Sequence, residues 1–176
     1  MIKAILITAA AIVAVPLVVA AFRADTFQVQ RSLVIAAPPA ALQPLISDMR
    51  AFNTWNPFNL KDPQIRGEYR GPPAGPGAQY LFAGNKDVGR GSVTVVDATP
   101  SSVTMTLEMI EPIAARNTVE FRLVPQGAGT HVTWAMHGKQ PYLGRLVGLV
   151  FDMDRMVGSE FEKGLALLRQ RAEKSA

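Results

Sequence analysis

Cysteine is absent from the 176-residue chain, and that one absence removes disulfides, thiolate nucleophiles and Cys-based zinc or iron–sulfur sites together. Histidine occurs twice, at His131 and His137. Both fall on one face of one expected strand, six positions apart, roughly 20 Å at about 3.3 Å per residue, so they do not jointly hold an ion. Basic residues exceed acidic ones by 18 to 14 but stand singly, without the runs or aromatic interleaving of a nucleic-acid surface. Ser159 in "VGSEF" lacks the strand-to-helix setting and spacing of a hydrolase elbow. The glycines of "GPPAGPG" and "GNKDVGRG" sit between apparent strands and open no helix, so they read as turn formers and not as phosphate loops. Internal repeats and low-complexity segments are missing too. No cofactor, metal site or catalytic constellation is expected.

Charge is missing from Ala4 to Phe22, "AILITAAAIVAVPLVVAAF", a length that reaches across the hydrocarbon core of a membrane. Two readings fit. Residues 1–23 form a single-pass anchor, favoured by the length of the run and by Lys3 on the cytoplasmic flank, or a signal peptide cleaved near Val19-Ala20-Ala21. Residues 24–176 then form one domain on the non-cytoplasmic side of the cell membrane, or a periplasmic or secreted one after cleavage. With 48% hydrophobic and 18% charged residues, there is ample apolar surface to offset the entropy of folding.

What is present in the body is alternation. "FQVQRSLVIAAPP" reads as a strand stopped by Pro38-Pro39, "PPAALQPLISDMRAF" as a short helix with Pro44 demanding a bend or a second start, and "FNTWNPF" as a broken helical connection. From Ile65 onward, strands separated by Gly, Asn, Asp and Pro turns predict an antiparallel meander. Its apolar face carries Tyr80, Phe82, Val93, Val95, Val103, Met105, Leu107, Met109, Val119, Phe121, Leu123, Val132, Trp134 and Met136. The opposite face carries Thr104, Thr106, Glu108, Thr118, Glu120, Arg122, His131 and Thr133, as expected of a sheet with one wet side. Beyond Pro141 a single long helix is predicted, with Val147, Val150, Phe151, Val157, Phe161, Leu165 and Leu168 recurring every three or four positions to cover the sheet.

Asp154 interrupts that stripe. A carboxylate buried there needs a cation, from Arg116, Arg122 or a ligand; otherwise it is a half-exposed residue near the helix start. The methionines with Trp55, Phe58 and Trp134 either fill a core or line an adaptable pocket for an apolar guest.

The segments "FQVQRSLVIAAPP", "WNPFNLKDP", "YLFAGNKDVGRGSVTVVDATP", "GTHVTWAMHG" and "FDMDRMVGSEFEKGLALL" resemble the START-like, or SRPBCC, superfamily, in its bacterial branch labelled polyketide cyclase/dehydrase. The resemblance covers nearly everything from Phe27 to Leu168. It implies an α+β helix-grip fold, a curved antiparallel sheet around a long C-terminal helix, with a hydrophobic cavity between them for a lipid or other apolar small molecule. Carried over by position, Trp55 and Phe58 cap the cavity mouth, Trp134 stands on a central strand and Asp154 on the gripping helix. With the inward-facing Tyr80, Phe82, Met105, Leu107, Phe121 and Met136, and with Phe151, they make up the expected ligand-binding set. The branch usually has a tryptophan where Phe82 stands. Three functions follow as expectations: a membrane-tethered or exported module binding a hydrophobic small molecule or lipid; a cyclase or dehydratase using Asp154 or His137 as acid or base; and an envelope interaction module whose core is closed.

Overall fold

The structure is a computed structural model that describes residues 14–150 and 152–174. The strands are β1 (Thr26–Ile35), β2 (Arg66–Arg70), β3 (Gln79–Ala83), β4 (Arg90–Thr99), β5 (Ser102–Glu111), β6 (Ala115–Gln126) and β7 (Gly129–Lys139). They make one sheet in the order β1-β7-β6-β5-β4-β3-β2, antiparallel throughout. From β2 to β7 each strand pairs with its successor, and β1 lies across the open side of β7, from Thr26 opposite Lys139 to Ile35 opposite Thr130. Alternation sets the faces: on β7 Val132, Trp134 and Met136 are buried, while His137 is exposed. A register shift between Val95 and Asp97 adds local twist and bends the sheet.

Three short helices fill the connection from β1 to β2: α1 (Pro39–Ser47), α2 (Met49–Asn53) and α3 (Pro57–Leu60). Pro44 sits inside α1 without ending it. The second start comes at Asp48, whose carboxylate accepts from the backbone N–H of Arg50 and Ala51 and so satisfies donors that a helix start leaves unpaired. Asn56 caps α3 likewise, taking the Phe58 N–H at 3.2 Å.

The tail departs from the single helix expected. It forms α4 (Tyr142–Val147) and α5 (Met153–Glu173), because Gly148 closes the first and Asp152 caps the second, its carboxylate accepting from Arg155 N–H at 3.0 Å. From Gly158 onward α5 lies along the concave face of the sheet, burying Phe161, Gly164, Leu165, Leu168 and Ala172. The Phe161 ring stacks on Trp134, with centroids 4.2 Å apart and planes 9° from parallel. Val147 and Val150, expected to cover the sheet, are instead exposed.

Residues 14–22 are helical. Among the described residues no helix is both long and apolar enough to cross a membrane; residues 4–13 of the uncharged run, and Phe151, lie outside the described residues.

Candidate functional site

Between the sheet and α5 the concave side is not completely filled. A cavity of about 310 Å³ remains. Its sheet wall is made by alternate residues of β3 to β7, among them Tyr80, Phe82, Met105, Leu107, Trp134 and Met136. Val157 and Phe161 of α5 close one side, and Phe52, Asn56, Phe58 and Asn59 of the connecting helices close another. Seven of the expected binding residues therefore share one void: Phe58, Tyr80, Phe82, Met105, Leu107, Trp134 and Met136.

Three expectations are corrected. Trp55 and Phe121 are 1% and 0% exposed and do not line the cavity. Trp55 stands edge-on to Phe52, Phe121 and Trp134, with centroids 4.9, 5.9 and 5.7 Å away, and its indole N–H donates to the Leu45 carbonyl at 2.8 Å. The connecting helices press on this end of the sheet and fill it with rings, so inward parity here means core. Asp154 is the third. Its side chain is 59% exposed and pairs at 2.9 Å with Arg31, an inward position of the edge strand β1, and not with Arg116 or Arg122, whose partners are Glu108 and Glu120.

Residues the sequence did not single out as ligand contacts complete the walls: Asn56, Asn59, Ile65 and the loop Lys86–Val88. Nothing in their spacing marked them, because they are brought in by caps and turns. Asp62, almost fully buried, ties this rim together. Its carboxylate accepts from Gln64 N–H at 2.9 Å and Asn85 N–H at 2.7 Å, while the Asn85 side chain accepts from Asp87 N–H and Val88 N–H.

Inside the apolar walls one polar pair stands out. The Tyr80 hydroxyl donates to Asn59 Oδ1 at 2.7 Å. Burial, with a smaller effect of Tyr69, pushes the Tyr80 phenol up to about 12, so at neutral pH it is a protonated donor and not a base. Among the described residues the Asn59 amide N–H groups have no partner. His137 lies on the opposite, solvent face, between Gln28 of β1 and Thr118 of β6. Both acid or base candidates, Asp154 and His137, are thus outside the cavity.

The Arg31 guanidinium lies over Gly158 and bonds Asp154 through two nitrogens at 3.1 and 2.9 Å and Glu162 through a third at 2.9 Å. The hydrogen bond from Arg31 holds the Asp154 carboxyl below the usual carboxylate range. A depressed folded-state value means that the unfolded chain binds the proton first, so this contribution is present at neutral pH and disappears on acidification below about pH 4. Asp154→Asn is therefore expected to lower stability at pH 7 by at most ~1 kcal/mol, since the pair is exposed. Urea midpoints of parent and variant should converge as the pH falls through that window; a difference that persists in acid would mean the carboxylate's charge is not its source.

Residues 26–173 match the family described as "Polyketide cyclase / dehydrase and lipid transport". No curated protein matches the chain by sequence. Among solved structures, protein CV1439 from Chromobacterium violaceum superposes with a TM-score of 0.59 at 14% identity, over 85% of this chain and 97% of that one. Protein MLL2253 from Mesorhizobium loti gives 0.56 at 19% identity, over 82% and 98%. DynU16, from the dynemicin biosynthetic locus, gives 0.59 at 14% identity over 87% of this chain, which spans about half of that protein, 49%. Identities this low speak for the fold alone. The family match, in contrast, runs from the first residue of β1 to the last of α5, and the chain belongs to this polyketide cyclase/dehydrase and lipid-transport family of the START-like, or SRPBCC, superfamily.

Proposed function

We propose that the domain is a binding module that holds a hydrophobic small molecule or lipid in the cavity under α5, and that its N-terminal run tethers it to the cell membrane on the non-cytoplasmic side or directs its export. The observation that carries this reading is the cavity itself: a void with apolar walls and one internal hydrogen-bonding pair suits an apolar guest with a single oxygen function. The Asn59 amide donates to that oxygen and the Tyr80 hydroxyl fixes the amide's orientation. Trp134, another wall residue, also has an indole N–H with no partner among the described residues, and leaving such a donor unmet costs ~1–3 kcal/mol. The cyclase or dehydratase reading loses its proposed acid and base to the outer surface, which leaves Tyr80 on the inner wall and Lys86 and Asp87 on the loop at the rim as titratable groups lining the void.

The test is native mass spectrometry of the full chain released from membranes in mild detergent, with extraction of whatever is bound. Leu107→Trp places extra ring volume in the void and leaves the core behind it alone. The parent is expected to carry an apolar adduct and Leu107→Trp to lose it without loss of thermal stability. A parent that stays empty after incubation with lipid vesicles sinks the binding reading and favours a closed interaction module.

A further inference from the structure

The apolar stripe of the tail is only partly used by the fold. Leu143 and Val147 on α4, Val150 in the turn after it, and Met153 and Met156 at the start of α5 are all exposed, Val150 by 81%. Exposed apolar residues so close together in the chain ordinarily mark an interaction surface, and none of the described residues covers them.

The N-terminal run arrives at the same place. The Tyr142 hydroxyl donates to the Leu17 carbonyl at 2.8 Å, and Arg145 Nη1 donates to the carbonyls of Ala21 and Arg23 at 3.2 and 3.1 Å. Arg23 Nη1 returns the contact, donating to the Gly148 carbonyl at 2.8 Å. Helix 14–22 is thereby fixed beside α4, with Val15, Val18 and Phe22 exposed, Phe22 by 89%. Upstream, residues 4–13 continue the run without a charge. Of the nearby carboxylates, Asp152 caps α5 and Asp154 is held by Arg31, while Asp25, whose backbone carbonyl takes the Gln140 N–H, is exposed. Arg155 is exposed beside them.

We infer that this face, made of α4, the turn after it, the first turn of α5 and helix 14–22, docks on the surface of a lipid bilayer. The inference rests on the tether proposed above. Because the uncharged run emerges beside the face, insertion of that run holds the face at the same bilayer at high effective concentration. An apolar surface flanked by Arg23, Arg145 and the exposed Arg155, against the exposed carboxylate of Asp25, suits the headgroup boundary, where arginine stems lie along apolar surface. Docking has a consequence for the site: Val157, one residue past the stripe, lines the cavity, so the bilayer comes to that end of the void.

The chain's lack of cysteine makes the test direct. Single substitutions Leu143→Cys, Val147→Cys, Met153→Cys and Met156→Cys in the full chain are labelled with an environment-sensitive fluorophore. The labelled chains are reconstituted into vesicles of phosphatidylcholine with a minority of phosphatidylglycerol. Val34→Cys and Val124→Cys, exposed on the outer face either side of His131, are the controls. An interfacial segment sinks roughly 5–10 Å into the headgroup and acyl boundary, so the four face labels are expected to shift to the blue and to be quenched by doxyl-labelled lipid, and the two controls to do neither. Face labels that behave like the controls overturn the inference. So does a blue shift that grows with protein density but resists doxyl quenching, which would assign the face to a second copy of this chain. Native mass spectrometry of the same preparations separates the two proposals: docking with an empty cavity keeps this one and removes the binding reading, and an occupied cavity without docking does the reverse.

Discussion

Replacing Trp55 with alanine is expected to cost about 3–5 kcal/mol, the range for truncating a large buried aromatic, against a total stability of about 5–15 kcal/mol for a domain. Three edge-on ring contacts are lost at once, with Phe52, Phe121 and Trp134. The Leu45 carbonyl also loses the indole N–H that it accepts at 2.8 Å. The surrounding rings belong to separate elements, the α2 helix and strands β6 and β7, and cannot all collapse into the space. Phe58→Ala supplies the comparison. That ring is half-buried and already borders the void, so its removal enlarges an existing cavity and forfeits fewer contacts. Urea unfolding should rank Trp55→Ala well below Phe58→Ala in midpoint. Equal losses would mean that Trp55 lines the cavity after all.

The second large effect is at Gly164, where alanine should destabilise although it is the better helix former by about 0.8–1.0 kcal/mol. A Cβ at this position would stand 2.5 Å from Trp134 Cζ3 and 2.9 Å from Pro57 Cδ. Neither can yield. Trp134 is stacked against Phe161 and packed on Phe121 at 4.9 Å, and Pro57 is held in the first turn of α3. Overpacking of this kind costs typically ~1–3 kcal/mol, more than the gain in propensity, and it would push α5 off the sheet where the cavity is closed. Gly158→Ala on the same helix meets the Arg31 guanidinium instead, the far end of a long side chain whose exposed pairs are worth ~0–1 kcal/mol each. That substitution should be close to neutral. Thermal unfolding of the two variants checks the contrast, and a Gly164→Ala protein as stable as the parent would show that α5 is not in close contact with Trp134.

How far the site was legible in the residues follows from what kind of signal each part leaves. Leu107 and Phe121 carry the same inward parity, but one borders a void and the other is sealed beneath the connecting helices. Parity reports the face of a strand and says nothing of how far away the opposing layer lies. Asp154 looked like a carboxylate on an apolar face because the stripe around it was taken to be buried. Arg31 had the same disguise, an inward position on β1, and no local pattern links two residues 123 positions apart. Asn59 and Lys86 entered the cavity through turns set by the Asn56 cap and by the Asp62 carboxylate, interactions that helix and strand periodicities do not encode.

Local chemistry was enough for the rest. Alternation along β3 to β7 and the turn residues between them follow from backbone sterics and hydrogen bonding within a few residues, and these settled the strands, their faces and the meander. The uncharged run from Ala4 to Phe22 and the absence of cysteine bound the chemistry in the same local way. Tertiary structure alone decided which inward residues enclose space, which carboxylate meets which cation, and which half of the tail's apolar stripe stays exposed. Each of those depends on the separation between layers, and that distance is set by the large residues of one layer meeting the glycines of the other, as Trp134 and Pro57 do at Gly164.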